Sequence, residues 1–358
     1  MTSEGVSCVG FRFREECVNG EVSATPGRLS GGVRGGGTTR GDSARLVILA
    51  LISVVFMTGC LVGNPKPKDR FNYGMVPVTS PTSTFAYGPD ARHQADVYTP
   101  ILWRPSDRRP VIVMVHGGGW GSGTRRDVMP SVLAQLRRGW VVVSIDYRLA
   151  PAVRFPLPIQ DVDRAVRWVK SQAGALGIDP NKLVLAGHSA GGYLATMVTA
   201  SNMAAPFVAP DLPPDLAAIS SRPAGVVSLA GVYDPLAFSD DPYRFGPFAL
   251  NNFFGCDNSD ITRMTCSRDV LVGASLVWTL DRNDPPMYVA HGHQDDVVNL
   301  EQVYLLSDWA WRQQMDAKVW IDIVDTGPLE ARFHQPDMGV NRASMELFLD
   351  SVANGLLV

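Results

Sequence analysis

Between residues 95 and 324 the chain alternates two kinds of hydrophobic pattern, and this alternation constrains its fold more than any other feature. VIVMVH (111–116), WVVVSI (140–145), LVLAGH (183–188), GVVSLAG (225–231), MYVAHG (287–292) and KVWIDIV (318–324) are short, apolar and rich in β-branched residues. Runs of this kind suit strands buried on both faces. ADVYTP (95–100) adds a shorter strand that ends at a proline. Between these runs Ile159, Val162, Val166 and Val169 recur at helical spacing, and Met345, Phe348, Leu349 and Val352 form a second such stripe near the C-terminus. Asp161 and Asp163 fall early in the first helix and Arg164, Arg167 and Lys170 later, an order that suits the helix dipole. Strands alternating with helices predict an α/β domain over residues 85–358, with a mostly parallel central sheet covered by helices on both faces. Residues 233–280 break the rhythm: Phe238, Tyr243, Phe245, Phe248, Phe253 and Phe254 stand among Pro, Asp and Asn without a clear period. This segment is expected to be a loop-rich insertion over the C-terminal ends of the strands, its aromatics either lining a substrate pocket or packing locally.

Hydrophobic residues make up 46% of the 358 and charged residues 19%, as in ordinary globular proteins. The near balance of 32 basic against 35 acidic residues provides no basic field for nucleic acid, so no nucleic-acid partner is expected. No CxxC or Cys/His spacing suggests zinc.

Residues 46–57 read LVILALISVVFM, with one serine and no charge, and within residues 22–45 Arg28, Arg34, Arg40 and Arg45 precede them against the single acid Asp42. A basic flank, a short apolar core and then small residues describe an export signal. The run ends in MTGC, which resembles a bacterial lipobox, with Met57 a less usual residue at its first position. The resemblance implies that Cys60 becomes the lipidated first residue of the mature protein. The alternative is an uncleaved anchor, since residues 46–63 offer about 18 mostly apolar positions, near the lower limit for spanning a bilayer. Residues 1–59 are thus read as tail and export signal. Residues 60–84, with Pro65, Pro67, Pro77 and Pro81 among Ser, Thr and Lys, are read as a lipid-anchored tether. The expected location is the bacterial cell envelope, with the membrane as a partner. Export also orders the cysteines. Cys8 and Cys17 lie upstream of the cut and Cys60 takes the lipid, while Cys256 and Cys266 either pair as a disulfide or remain free buried thiols.

Gly187-His188-Ser189-Ala190-Gly191 fits GxSxG. Glycine is common in this chain, so the pattern alone is weak, but it follows a predicted strand and opens a helical pattern (Tyr193, Leu194, Met197), the context the motif requires. A sharp strand-to-helix turn aims the hydroxyl of Ser189 away from the sheet and toward a helix N-terminus, where negative charge is favoured. A serine nucleophile needs a base, and the base needs an orienting acid, in the chain order Ser, Asp or Glu, His. Of His93, His116, His188, His291, His293 and His334, only His334 lies beyond the acids that follow the MYVA strand, which nominates it as general base. Asp295 and Asp296 both stand at that strand's C-terminal end, where chemistry collects in α/β folds. His116-Gly117-Gly118-Gly119-Trp120, directly after VIVMV, brings backbone N–H groups close without side chains, and the N–H of Ala190 is their natural partner in holding an oxyanion.

Together these motifs resemble the α/β-hydrolase superfamily, in particular the hormone-sensitive-lipase-like carboxylesterases and their feruloyl-esterase-like bacterial relatives. The resemblance runs from about residue 95 to the C-terminus. It rests on HGGGW (116–120), DYRLAP (146–151), FPLPIQDVDRAVRWV (155–169), GIDPNKLVLAGHSAGGYLA (177–195) and DPPMYVAHGHQDDVV (284–298). It implies Asp295 as the acid and Gly117 and Gly118, with Ala190, as oxyanion donors. The family's histidine usually follows glycine, whereas here Phe333 precedes His334. The implied activity is hydrolysis of small to medium acyl esters through an acyl-enzyme, with no metal or organic cofactor. Two rivals remain: an arylformamidase-type amide hydrolase using the same triad, and a non-catalytic binding protein on a hydrolase scaffold.

Overall fold

The computed structural model describes residues 80–200, 205–239, 245–260, 263–324, 334 and 342–357. The export signal, Cys60 and most of the proposed tether lie outside the described residues. Eight strands form one sheet in the order β1-β2-β4-β3-β5-β6-β7-β8. They are β1 Ser83–Ala86, β2 Gln94–Tyr98, β3 Arg109–Val115, β4 Val141–Ile145, β5 Ile178–His188, β6 Gly225–Leu229, β7 Met287–Gly292 and β8 Val319–Val324. The β1–β2 and β2–β4 pairings are antiparallel. Every other pairing is parallel. Strands β4, β6 and β7 are buried at every position, as continuous apolar runs require. The side chains of β3 alternate between two cores, Val111, Val113 and Val115 on one face and Ile112 and Met114 on the other. β1 carries no apolar run because it is an edge strand with three of its four residues exposed. It begins at Ser83, so the sheet starts inside the segment read as tether.

Among the described residues, the helices of ten residues or more are α1 Leu157–Ser171, α2 Ala190–Ala200, α3 Phe245–Phe254, α4 Glu301–Arg312 and α5 Arg342–Ala353. The stripe of α5 is buried as expected, with Met345, Phe348, Leu349 and Val352 in the second core. α1 departs from its expected reading. Asp161 and Asp163 do not serve the helix dipole from the surface; both are buried. Asp161 binds His93 Nε2 at 2.9 Å and Arg148 Nη2 at 2.6 Å, and Asp163 binds Arg167 Nε at 2.9 Å and Ser221 Oγ at 2.5 Å. Pairing of this kind offsets the cost of burying a carboxylate. Those partners outweigh burial at Asp161, so its carboxyl titrates below the ordinary range.

Residues 233–280 hold more helix than their sequence suggests: α3, short helices at Pro235–Ser239 and Arg268–Gly273, and a 3-10 turn at Leu276–Trp278. Cys256 and Cys266 form a disulfide just after α3. Gln302 on α4 anchors the segment's start by accepting the N–H groups of Tyr233 and Asp234, both at 2.8 Å. No helix among the described residues is long and apolar enough to cross a membrane.

Candidate active site

The strand order reverses direction between β3 and β5, so the loops leaving these two neighbours diverge and open a crevice at their C-terminal ends. Val115 pairs with Gly187 at that point, which sets the glycine loop after β3 beside the serine turn after β5. Ser189 has φ +54°, a left-handed conformation that a residue with a Cβ rarely adopts. Hydrogen bonds hold it there: its N–H donates to Leu229 at 2.8 Å, and its carbonyl accepts from Tyr193 at 3.1 Å. The flanking glycines follow from close approach. A Cβ on Gly187 would overlap the carbonyl of Gly191, and one on Gly191 would overlap the carbonyls of Val115 and His116.

His334 Nε2 stands 2.6 Å from Ser189 Oγ, and its Nδ1 stands 2.7 Å from Asp295 Oδ2. With Nδ1–H donating to the carboxylate, Nε2 presents a lone pair to the serine hydroxyl. Asp295 is buried, and its Oδ1 accepts the N–H groups of Val297 and Val298 at 2.9 and 3.0 Å. Burial alone would raise its pKa. The hydrogen bond and electrostatic pull of His334, followed by that of His291 and by the Val298 amide, outweigh burial and hold the carboxyl below the usual aspartate range. Of the two acids offered by the sequence at this strand end, Asp295 is the one that reaches His334.

The glycine loop runs through left-handed backbone, with φ +115° at Gly118, +57° at Gly119 and +58° at Trp120. The N–H groups of Gly121 and Ser122 close it onto the Gly118 carbonyl at 3.1 and 3.0 Å. The loop lies against Ser189: a Cβ on Gly117 would sit 3.1 Å from Ser189 Cβ and 2.9 Å from His188 Nδ1. Among the described residues, the N–H groups of Gly117, Gly118 and Ala190 donate to no backbone oxygen. Arg92 braces the loop, donating to Gly123 at 3.0 Å, Tyr147 at 2.7 Å and Asp146 at 3.3 Å. Phe253 of α3 stacks on Trp120 at 4.6 Å and meets Tyr193 edge-on at 5.8 Å. All three rings are buried, so the insertion supports the glycine loop from above, while Phe248 remains exposed.

Two histidines beside the relay were given no role by the sequence reading. His291 is fully buried, with Nε2 donating to the Val298 carbonyl at 2.8 Å and lying 3.5 Å from Asp295 Oδ2. Burial pushes its pKa down, which favours the neutral ring. His188 Nε2 lies 2.8 Å from the carbonyl of His334, and burial, aided by the nearby charge of His334, brings its pKa down to about 4. The available signal was position alone, since one directly precedes the serine and the other opens the segment that carries the acid. No group of three or more His, Cys, Asp or Glu among the described residues is placed to hold a metal ion.

The sheet order and the serine turn together define an α/β-hydrolase fold. The family model BD-FAE matches residues 95–310, and the chain belongs to that family. Esterase LipC of Mycobacterium tuberculosis is 32% identical over 229 residues, covering 60% of this chain and 51% of LipC. The chain spans about half the length of the curated relatives it matches first. Among solved structures, the apo form of Thermogutta terrifontis esterase 2 superposes with a TM-score of 0.60 at 24% identity, covering 80% of this chain and 98% of that one. The butyrate-bound form of the same esterase gives 0.57 at 25% identity, covering 77% and 95%.

Proposed function

We propose that the chain is a serine carboxylesterase acting on small to medium acyl esters. One observation carries this reading: Ser189, His334 and Asp295 form a continuous hydrogen-bonded relay facing the glycine loop. Ser189 Oγ attacks the ester carbonyl and its proton passes to His334 Nε2, while Asp295 stabilises the imidazolium. The carbonyl oxygen, now negative, is received by the N–H groups of Gly117, Gly118 and Ala190. Collapse of this intermediate expels the alcohol, which takes the proton from His334. Water then repeats the sequence on the acyl-enzyme and releases the acid. An esterase neighbour solved with butyrate supports small acyl groups as substrates. The test is hydrolysis of p-nitrophenyl butyrate by the purified chain. Ser189→Ala is expected to lower kcat by roughly 10⁴-fold or more, and a variant retaining even a tenth of the rate would remove Ser189 from the mechanism.

The same reading places the enzyme at the cell envelope, tethered through a lipid on Cys60, on the strength of the MTGC sequence after an apolar run. Metabolic labelling with a palmitate analogue should mark the wild type and not Cys60→Ala. Equal labelling of both would rule out this tether.

A further inference from the structure

We propose that His188, the residue directly before the nucleophile, is a positioning residue that holds the main chain of His334; its catalytic consequence rests on the triad reading above. Asp295 and Ser189 hold the two ring nitrogens of His334, but a ring held only at its nitrogens can still tilt with its backbone. The third point is the contact from His188 Nε2 to the His334 carbonyl at 2.8 Å. The donor must be the ring N–H, because a carbonyl can only accept. This fixes His188 as the Nε2–H tautomer and leaves Nδ1 on the side of Gly117, where an added Cβ would come within 2.9 Å of it. The two imidazoles lie 5.1 Å apart, tilted by 41°. His188 hangs from the rigid end of β5, one residue from Ser189. Whatever locates the nucleophile therefore also locates the histidine backbone. His334 arrives from the stretch between β8 and α5, so this bond spans 146 positions of sequence.

The ring also suits its place electrostatically. Its pKa of about 4 keeps it uncharged at neutral pH. A neutral donor can hold the His334 carbonyl without opposing the positive charge that His334 acquires during acyl transfer. A lysine or arginine in the same place would oppose it.

The test exploits the shape of the donor. In His188→Gln the side-chain amide nitrogen takes the place of Nε2, while in His188→Asn it takes the place of Nδ1 and falls short of the His334 carbonyl. His188→Leu removes the donor altogether. On p-nitrophenyl butyrate the Asn and Leu variants of the full chain are expected to lose about 10- to 100-fold in kcat, with KM within about twofold, because the base is misaligned rather than the substrate unbound. The Gln variant is expected to stay within about threefold of wild type. The low-field proton NMR signal of His334 Nδ1–H should persist in wild type and Gln and broaden or vanish in Asn and Leu. Equal behaviour of Asn and Gln, or an intact signal and kcat in Leu, would overturn the proposal. If the wild type hydrolyses no ester, the esterase reading falls on its own, and the same NMR series still decides whether His188 holds His334.

Discussion

Ser189 holds a conformation that its own side chain disfavours, and the surrounding glycines exist to permit that conformation. At Gly187 and Gly191 the lost side chain makes room for neighbouring carbonyls. At Gly117 it makes room for Ser189 and His188 themselves. The last case gives a sharp prediction. In Gly117→Ala the new methyl group must push the loop away from Ser189, because its nearest neighbours at 2.9–3.1 Å leave no slack. If the N–H groups of this loop receive the oxyanion as proposed, displacing them should lower kcat by roughly 100-fold. Rates for wild type and variant on one ester would show it. A variant as fast as wild type would mean that the oxyanion is held elsewhere.

Among the elements, α3 is the one whose position depends on a covalent link. Its C-terminal end leads into Cys256, bonded to Cys266, and its Phe253 stacks on Trp120 of the glycine loop. Closing a loop of this size removes about 2–3 kcal/mol of disorder from the unfolded chain. Replacing both cysteines with serine should therefore cost about that much in a denaturant titration, and should loosen the aromatic support of the loop enough to lower kcat. An unchanged midpoint would show that packing alone holds α3. The buried strands β3 to β7 were legible in the sequence because each is apolar on both faces and can sit only inside. β1 was not, since an edge strand with one partner needs no apolar pattern. α3 was not either: it is apolar nearly all round, so it shows no period. The acids of α1 were legible as residues but not as buried partners, because His93 and Ser221, which bind Asp161 and Asp163, come from distant sequence.

The domain that carries the sheet is polarised along its strands. Ser189, Asp295 and the glycine loop gather at the C-terminal ends, and the parallel topology that brings them together could be inferred from the alternation of elements. The contacts of His334 with Ser189 and Asp295 were expected from the motif order, but its backbone contact was not, because the partner, His188, lies 146 positions away. The opposite ends of the strands bear on stability. There Asp284, fully buried just before β7, accepts the Asp281 N–H at 2.8 Å through Oδ2, while Oδ1 has no hydrogen-bond partner among the described residues. The Arg222 guanidinium stays 3.9 Å away. Burial raises the carboxyl's pKa to about 6, above its value in the unfolded chain. The folded state therefore binds this proton more tightly. Its contribution to stability is full at low pH and is lost as pH rises from about 4 through about 6. At neutral pH the ionised group costs roughly 1–2 kcal/mol after allowance for solvent and the nearby arginine. Asp284→Asn keeps the acceptor and removes the charge. It should raise unfolding free energy by about that amount near pH 7.5 and by much less near pH 4.5, with kcat untouched because the change lies at the far end of the sheet. Denaturant titrations at the two pH values would decide it. A loss of stability near neutral pH would mean that Arg222 closes on the carboxylate and that this end of the sheet is held by an ion pair.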